Sequence, residues 1–148
     1  MITSIDQMPS VKPVPKFTEG MSGWGKFKAW FSRREWMLME DPYWFYKLPD
    51  GVWIRFPSGF VFDFASVPRP FHPFLNPTGL LLIASIPHDF IYRHGYLETT
   101  SGTRVRYNRK QADLLLKAIT VHETHVRTGS IIAYEAVRIG GSGSWAGR

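Results

Sequence analysis

The stretch GLLLIASIPHDFIYRH, residues 79–94, decides how this chain folds, because its apolar run predicts a buried helix. Pro87 predicts a bend in that helix, and His88 and Asp89 interrupt the apolar run. Residues four apart lie on one helical face, so His88 and Tyr92 share a face, and Asp89 lies about 100° around the axis. Since a buried polar side chain needs a partner, the helix predicts a polar site near the core.

A second predicted helix offers that partner. It begins after Asn108, a suitable N-cap, and runs to about Val121, and Asp113 is the only acidic residue between them. If the two helices pack antiparallel, Asp113 can face His88. A carboxylate bonded to one imidazole nitrogen fixes the tautomer and leaves the other nitrogen as a base. The same pair is also an ordinary structural hydrogen bond, and the spacing leaves both interpretations open.

Aromatic and β-branched runs upstream of residue 79 predict a small antiparallel meander, with strands at residues 36–40, 43–48, 52–56 and 60–64. Glycine turns at 49–51 and 57–59 suit hairpins. A third helix is predicted at residues 130–139. Residues 95–107 read as polar and irregular, with a β-turn excursion as the alternative. The sequence therefore predicts an α+β fold, with a meander followed by three helices.

The chain of 148 residues has the usual size of one domain. Residues 1–23 contain proline, serine and lysine without a period, which predicts an extended arm. Residues 24–139 form the predicted domain. The glycine- and serine-rich residues 140–148 predict a flexible tail.

Eighteen Lys and Arg residues against 12 Asp and Glu give a formal charge of +6. This balance favours encounter with nucleic acid, anionic membranes or acidic proteins. Residues 24–34 form a basic amphipathic segment that suits either a membrane surface or packing on its own domain. The sequence contains no specific nucleic-acid motif.

The chain has no cysteine, which excludes disulfides and thiolate metal sites. Residues 1–19 lack the apolar centre of a signal peptide, and no window reaches the ~18 apolar residues of a membrane span. We therefore expect a protein made in a host cytoplasm that is neither secreted by a signal peptide nor transmembrane.

Asp89 is a candidate ligand for a hard cation such as calcium, together with carbonyl groups near residues 76–79. Alternatively, Asp89 pairs with a cation, for which Arg93, Arg109 and Lys110 are candidates. Asp63 and Ser66 form a second polar pair, which either shapes a turn or joins the site if its loop folds over His88.

His122 and His125 are three residues apart on a helical extension, a spacing that suits a metal ion. A complete metal site needs further ligands. Their polar surroundings equally fit two solvated histidines at a helix end.

Three ordered blocks carry a resemblance to a known family: GFVFDFASVP at residues 59–68, HDFIY at residues 88–92, and Arg109 with Ala112 and Asp113. They resemble a small family of unknown function encoded by phages, prophages and bacteria, over roughly residues 43–139. This sequence departs from the family's pattern at Phe62, usually Thr, and at Pro87. The resemblance implies a phage-encoded protein. The long arm, the aromatic residues and the loose tail suit a part of the virion or tail that docks onto other virion or tail proteins.

A second, local resemblance concerns mechanism. His-Asp-x-x-Tyr on one helix, followed by Asp on the next, is similar to the core of secretory calcium-dependent phospholipases and their parvovirus capsid version. The resemblance implies that His88 activates water, Asp113 orients His88, Asp89 holds calcium and Tyr92 bonds Asp113. Residues 76–79 are the nearest counterpart of the calcium loop.

Three hypotheses follow. The first is a virion or tail-associated protein that carries a hydrolase-like polar site. The second is an active metal-dependent hydrolase of an ester or bacterial-envelope substrate, used in host entry or lysis. The third is a basic peripheral membrane protein that binds through residues 24–34.

Overall fold

The computed structural model describes residues 9–14, 23, 35–62, 80–124 and 127–146. The strands are β1 (Val11–Pro13), β2 (Trp36–Leu38), β3 (Tyr43–Lys47), β4 (Trp53–Pro57), β5 (Val61–Phe62), β6 (Tyr96–Thr99) and β7 (Arg104–Arg106). The helices are α1 (Leu80–His94), α2 (Arg109–Thr124) and α3 (Arg127–Gly140), and a 3-10 helix, Gly141–Ser144, follows α3. These elements confirm the α+β class.

The strands form two antiparallel sheets, where the sequence predicted one meander. One sheet has the order β1-β2-β5 and the other the order β3-β4-β6-β7. The turn at residues 49–51 is the predicted hairpin, but the turn at 57–59 carries the chain from one sheet to the other. Gly59 has a φ of +83° there, and its N–H donates to the carbonyl of Leu38 at 2.9 Å. That bond holds the crossing turn against the neighbouring sheet.

Residues 95–107, predicted to be irregular, contain the hairpin of β6 and β7. Tyr96 pairs with Arg106 and Glu98 with Arg104. Gly102 takes the positive φ that the tight turn requires, +87°. Because β6 also pairs with β4, the hairpin adds two strands to β3 and β4 and completes the four-stranded sheet.

Helix α1 lies at the centre of the fold, since every residue from 83 to 92 is buried. Phe90 packs edge-on against Phe56 of β4, with ring centroids 5.3 Å apart. The predicted cap of α2 is confirmed: Asn108 Oδ1 accepts from the N–H of Gln111, and Gln111 Oε1 accepts from the N–H of Asn108, both at 2.8 Å. This cap fixes where α2 begins and therefore where Asp113 lies.

The segment after α3, predicted to be a flexible tail, makes specific contacts over its described part, residues 141–146. The indole of Trp145 packs edge-on against Tyr92 with centroids 5.4 Å apart. The N–H of Ala146 donates to the carbonyl of Tyr92 at 2.8 Å. This end of the chain therefore closes over one side of α1.

Five predicted features lie outside the described residues: the basic helix at 24–34, Asp63, Ser66, the loop at 76–79 and His125. In the part of the arm that the structure describes, β1 pairs with β2. No helix among the described residues is long and apolar enough to cross a membrane.

Candidate active site

His88 and Asp113 meet in the core, as the sequence predicted for antiparallel helices. The Nε2 atom of His88 lies 2.7 Å from Oδ1 of Asp113. Both side chains are buried, with 2% of His88 and none of Asp113 exposed. With Asp113 ionised, Nε2 carries the proton and donates it, which leaves Nδ1 with its lone pair when the ring is neutral.

Tyr92 also donates its hydroxyl to Oδ1 of Asp113, at 2.6 Å. Tyr92 lies one turn after His88 on α1, and the two rings pack with centroids 4.2 Å apart. One carboxylate oxygen therefore accepts from both aromatic side chains, which fixes the rotation of the imidazole relative to α1.

The second oxygen of Asp113 faces α3. Arg138 Nη1 donates to Oδ2 at 2.9 Å. No sequence pattern predicted this contact, because Arg138 lies 25 residues after Asp113 and only the packing of α3 on α2 brings it near. Three elements thus converge on one buried carboxylate.

Arg109, which belongs to the third block of the family resemblance and was a candidate partner of Asp89, contacts Tyr92 and the end of α3 from the start of α2. Its Nε donates to the hydroxyl of Tyr92 at 3.3 Å. Its Nη2 donates to the carbonyls of Val137 and Arg138, at 3.0 and 2.7 Å. A cation at the carboxyl end of a helix interacts favourably with its dipole, so Arg109 joins α2, α1 and the end of α3. We call His88, Asp89, Tyr92, Arg109, Asp113 and Arg138 the His88 cluster.

The cluster shifts the pKa values of both central groups. Burial lowers the pKa of the His88 imidazole, but the carboxylates of Asp113 and Asp89 raise it, and the net pKa lies above its ordinary value. Burial raises the pKa of Asp113, but the hydrogen bonds from His88, Tyr92 and Arg138 lower it, and the net pKa lies below its ordinary value. Both shifts favour an imidazolium next to a carboxylate.

Asp89 lies on the opposite side of the imidazole. Its Oδ1 is 3.7 Å from Nδ1 of His88, which is beyond hydrogen-bonding distance, and 5% of the residue is exposed. Within residues 35–62, 80–124 and the other described ranges, no three His, Asp or Glu side chains are grouped to hold a metal ion. The carbonyl groups near residues 76–79, predicted to join Asp89 in a calcium site, lie outside the described residues.

Gly141 allows the closest approach in the cluster. A Cβ at this position would overlap the hydroxyl of Tyr92 and lie 3.0 Å from its Cε2. Gly141 is itself buried. A side chain there would displace the hydroxyl that both Asp113 and Arg109 contact.

A second buried polar pair lies between β3 and α2, and no sequence pattern predicted it. The hydroxyl of Tyr46 donates to Oε1 of Glu123 at 2.6 Å, although 77 residues separate them. Tyr46 is fully buried and Glu123 is 3% exposed. Burial, with the bond to Glu123, raises the pKa of Tyr46, so its hydroxyl stays protonated and acts as a donor.

The remaining predicted site residues lie elsewhere. Asp63, Ser66 and His125 are outside the described residues. His122 is exposed near the end of α2 and, with Lys47, Asp50 and Trp53, lines a cavity of about 480 Å³ beside the β3–β4 turn. That cavity contains no residue of the His88 cluster.

A comparison with protein-family models shows which family the chain belongs to. A model described as "Protein of unknown function (DUF1353)" matches residues 36–137, which contain every member of the His88 cluster except Arg138. Comparisons with curated proteins and with solved structures found no match. The matched range covers more than half of the chain, which therefore belongs to the DUF1353 family of proteins of unknown function.

Proposed function

We propose that the chain is a hydrolase of ester bonds in which His88 is the general base and Asp113 its positioning residue. The observation that carries the proposal is the bond between Nε2 of His88 and Oδ1 of Asp113, with Tyr92 donating to the same oxygen. This set of contacts is the one that the phospholipase resemblance implies. A carboxylate that accepts from one imidazole nitrogen orients the ring, so that the other nitrogen can act as the base, as in a catalytic dyad.

The proposed reaction uses Nδ1 of His88. Nδ1 takes a proton from water while the water oxygen attacks the ester carbonyl carbon. The resulting imidazolium is stabilised by Asp113, whose negative charge is held by Tyr92 and Arg138. Cleavage of the ester C–O bond then releases an alcohol, which takes the proton from Nδ1, and a carboxylic acid. These steps use only residues of the chain.

Burial and charge set two requirements on this site. His88 is 2% exposed, so a substrate reaches Nδ1 only after a local opening. Asp89 places a carboxylate 3.7 Å from Nδ1, where it opposes the negative charge that develops on an ester oxygen. A bound cation would offset that charge, and for this reason the assay below has a calcium arm.

The test measures initial rates on p-nitrophenyl esters of short and long acyl chains and on phosphatidylcholine, each with calcium and with EDTA. We expect His88→Ala and Asp113→Asn to lower the rate by about 10²- to 10⁴-fold, the range for loss of a general base. His122→Ala, which removes an exposed histidine of α2, is the matched control and should retain the wild-type rate. Equal rates in the wild type and His88→Ala would refute the proposal.

The second candidate is a structural protein of a virion or tail in which the same cluster joins helices. The observation that favours it is that every buried side-chain nitrogen and oxygen atom in the described residues has a hydrogen-bond partner. It predicts that His88→Ala lowers stability while the wild type hydrolyses none of the esters. Phage origin and partnership with virion or tail proteins are part of this candidate, and mass spectrometry of purified phage particles tests both.

A further inference from the structure

The four-stranded sheet has one face in the core and one face toward solvent. Alternation along the strands sends Tyr46 and Phe56 inward, where both are fully buried. The alternate residues of β3 and β4 point toward solvent, and they include large aromatic side chains. Phe45 is 47% exposed and Trp53 is 38% exposed. Two exposed aromatic rings on adjacent strands are typical of a surface that binds a partner.

The strand register places a cation beside each ring. Phe45 pairs with Arg55, and Trp53 pairs with Lys47, so these four side chains share the solvent face. Arg55 also lies over the ring of Tyr43, with its Cζ atom 4.5 Å from the ring centroid. Aromatic and basic groups therefore alternate across β3 and β4.

Strands β6 and β7 continue the pattern. Glu98 pairs with Arg55 on one side and with Arg104 on the other, and Arg106 follows on the same face. The Cζ atom of Arg104 lies 4.5 Å from the ring centroid of Tyr96. We define the outer sheet face as Phe45, Trp53, Lys47, Arg55, Arg104 and Arg106. Strands β3, β4, β6 and β7 contain one acidic residue, Glu98, beside these four cations. Its Oε1 lies 2.6 Å from Nη2 of Arg55.

We propose that the outer sheet face binds single-stranded nucleic acid. Unpaired bases stack on exposed rings, and guanidinium and ammonium groups bind the phosphates, so this ligand uses both kinds of side chain. An acidic protein segment would satisfy the cations but not the two rings. A duplex offers its phosphates but keeps its bases stacked on each other. The positive charge of the face, within a chain of net charge +6, complements a polyanion.

The cavity beside the β3–β4 turn extends this face. Trp53 and Lys47 line it together with His122 and Asp50, and its volume is about 480 Å³. This cavity therefore offers a recess for a nucleotide of the bound nucleic acid at one end of the sheet. The proposal uses no residue of the His88 cluster, so it stands or fails independently of the hydrolase.

The test titrates the full chain into fluorescein-labelled 20-nucleotide oligothymidine and follows polarisation at low salt. We expect a Kd on the order of 10⁻⁴ to 10⁻⁶ M that weakens as salt rises. Oligouridine of the same length distinguishes RNA from DNA, and affinity for either one meets the proposal. A duplex of equal length should bind at least about tenfold more weakly, because its bases cannot stack on protein rings.

Phe45→Ala and Trp53→Ala should each weaken binding by about tenfold, while Trp53→Phe, which keeps a ring, should retain most of the affinity. Ile139→Ala is the matched control, since Ile139 is exposed on α3, away from the sheet. Arg104→Ala should reduce the salt dependence more than Lys110→Ala, an exposed lysine of α2. Binding that survives both aromatic substitutions, or equal binding to duplex or to polyglutamate, overturns the proposal. So does the absence of binding at about 1 mM protein, a concentration about tenfold above the weakest expected Kd of about 10⁻⁴ M.

Discussion

The imidazole Nε2 of His88 lies 2.7 Å from the carboxylate Oδ1 of Asp113 and joins the middle of α1 to the first turns of α2. The carboxylate has no exposed surface and accepts from three side chains, His88, Tyr92 and Arg138. Its charge is therefore part of both the packing of the three helices and the proposed chemistry. Stability and activity should respond together when it changes.

Asp113→Asn is expected to lower the free energy of unfolding by about 3–5 kcal/mol. The substitution leaves the buried imidazole without its charged partner, and loss of one member of a buried pair has this cost. Urea denaturation measures the change. Asp50→Asn is the control, because Asp50 is exposed and its side chain accepts from the N–H of Val52 in a turn. Equal unfolding free energies for the two variants would show that the buried carboxylate does not hold the helices.

The stability that His88 provides should depend on pH. Its folded-state pKa lies above its ordinary value, so its contribution is fully present below pH of about 6.5 and is lost as pH rises through the folded pKa. Asp113 behaves oppositely: its contribution is lost as pH falls through its lowered folded pKa. Urea midpoints of the wild type and His88→Gln between pH 5.5 and pH 9 should converge as pH rises. A constant difference across this range would contradict a raised pKa.

Gly141→Ala should disturb the His88 cluster without touching any charged group. A Cβ at residue 141 overlaps the hydroxyl of Tyr92, so either the ring or the 3-10 helix must move. We expect a loss of about 1–3 kcal/mol in unfolding free energy, as for other overpacked sites, and a lower rate of ester hydrolysis. Gly143→Ala has open space around its Cβ and should change neither. If the two alanine variants behave alike, the close approach does not position Tyr92.

Tyr46→Phe should cost about 1–3 kcal/mol, because it removes the hydroxyl that satisfies the buried carboxylate of Glu123. Tyr43→Phe, at a half-buried position of the same strand, is the control. Adding Glu123→Leu to Tyr46→Phe should recover part of the loss, since no buried carboxylate then remains unpaired. Thermal or urea unfolding of the four proteins measures both effects, and a double variant less stable than Tyr46→Phe would argue against this pairing.

Local patterns predicted the elements of this fold better than their arrangement. Helix α1 followed from one apolar run, and the start of α2 followed from Asn108, whose capping bonds depend on nearby residues only. The separation of the strands into two sheets was missed, because a glycine turn such as 57–59 serves both a hairpin and a crossing between sheets. At residues 95–107 a β-turn excursion was the alternative, but strands β6 and β7 were not predicted, because Arg104, Val105 and Arg106 are all exposed and show no alternation of burial.

In the candidate site too, local spacing predicted some residues, and tertiary packing alone brought in others. His88 and Tyr92 were predictable because they lie one helical turn apart, and Asp113 was predictable as a lone acid in an apolar helix. Arg138 and the Tyr46–Glu123 pair were not, since their contacts depend on how α3 and β3 pack against α2. No sequence period links residues brought together by tertiary packing alone. Calcium binding at Asp89 stays a prediction, because the carbonyl groups expected to join it, near residues 76–79, lie outside the described residues.

The pH dependence of ester hydrolysis tests the role of His88 most directly. If Nδ1 is the general base, the rate rises with pH to a plateau, with an apparent pKa above about 6.5 because the cluster raises the pKa of His88. Asp113→Asn should lower both the plateau and the apparent pKa, and His88→Ala should abolish the pH-dependent rate. A wild-type profile that coincides with that of His88→Ala between pH 5 and pH 9 would contradict the account.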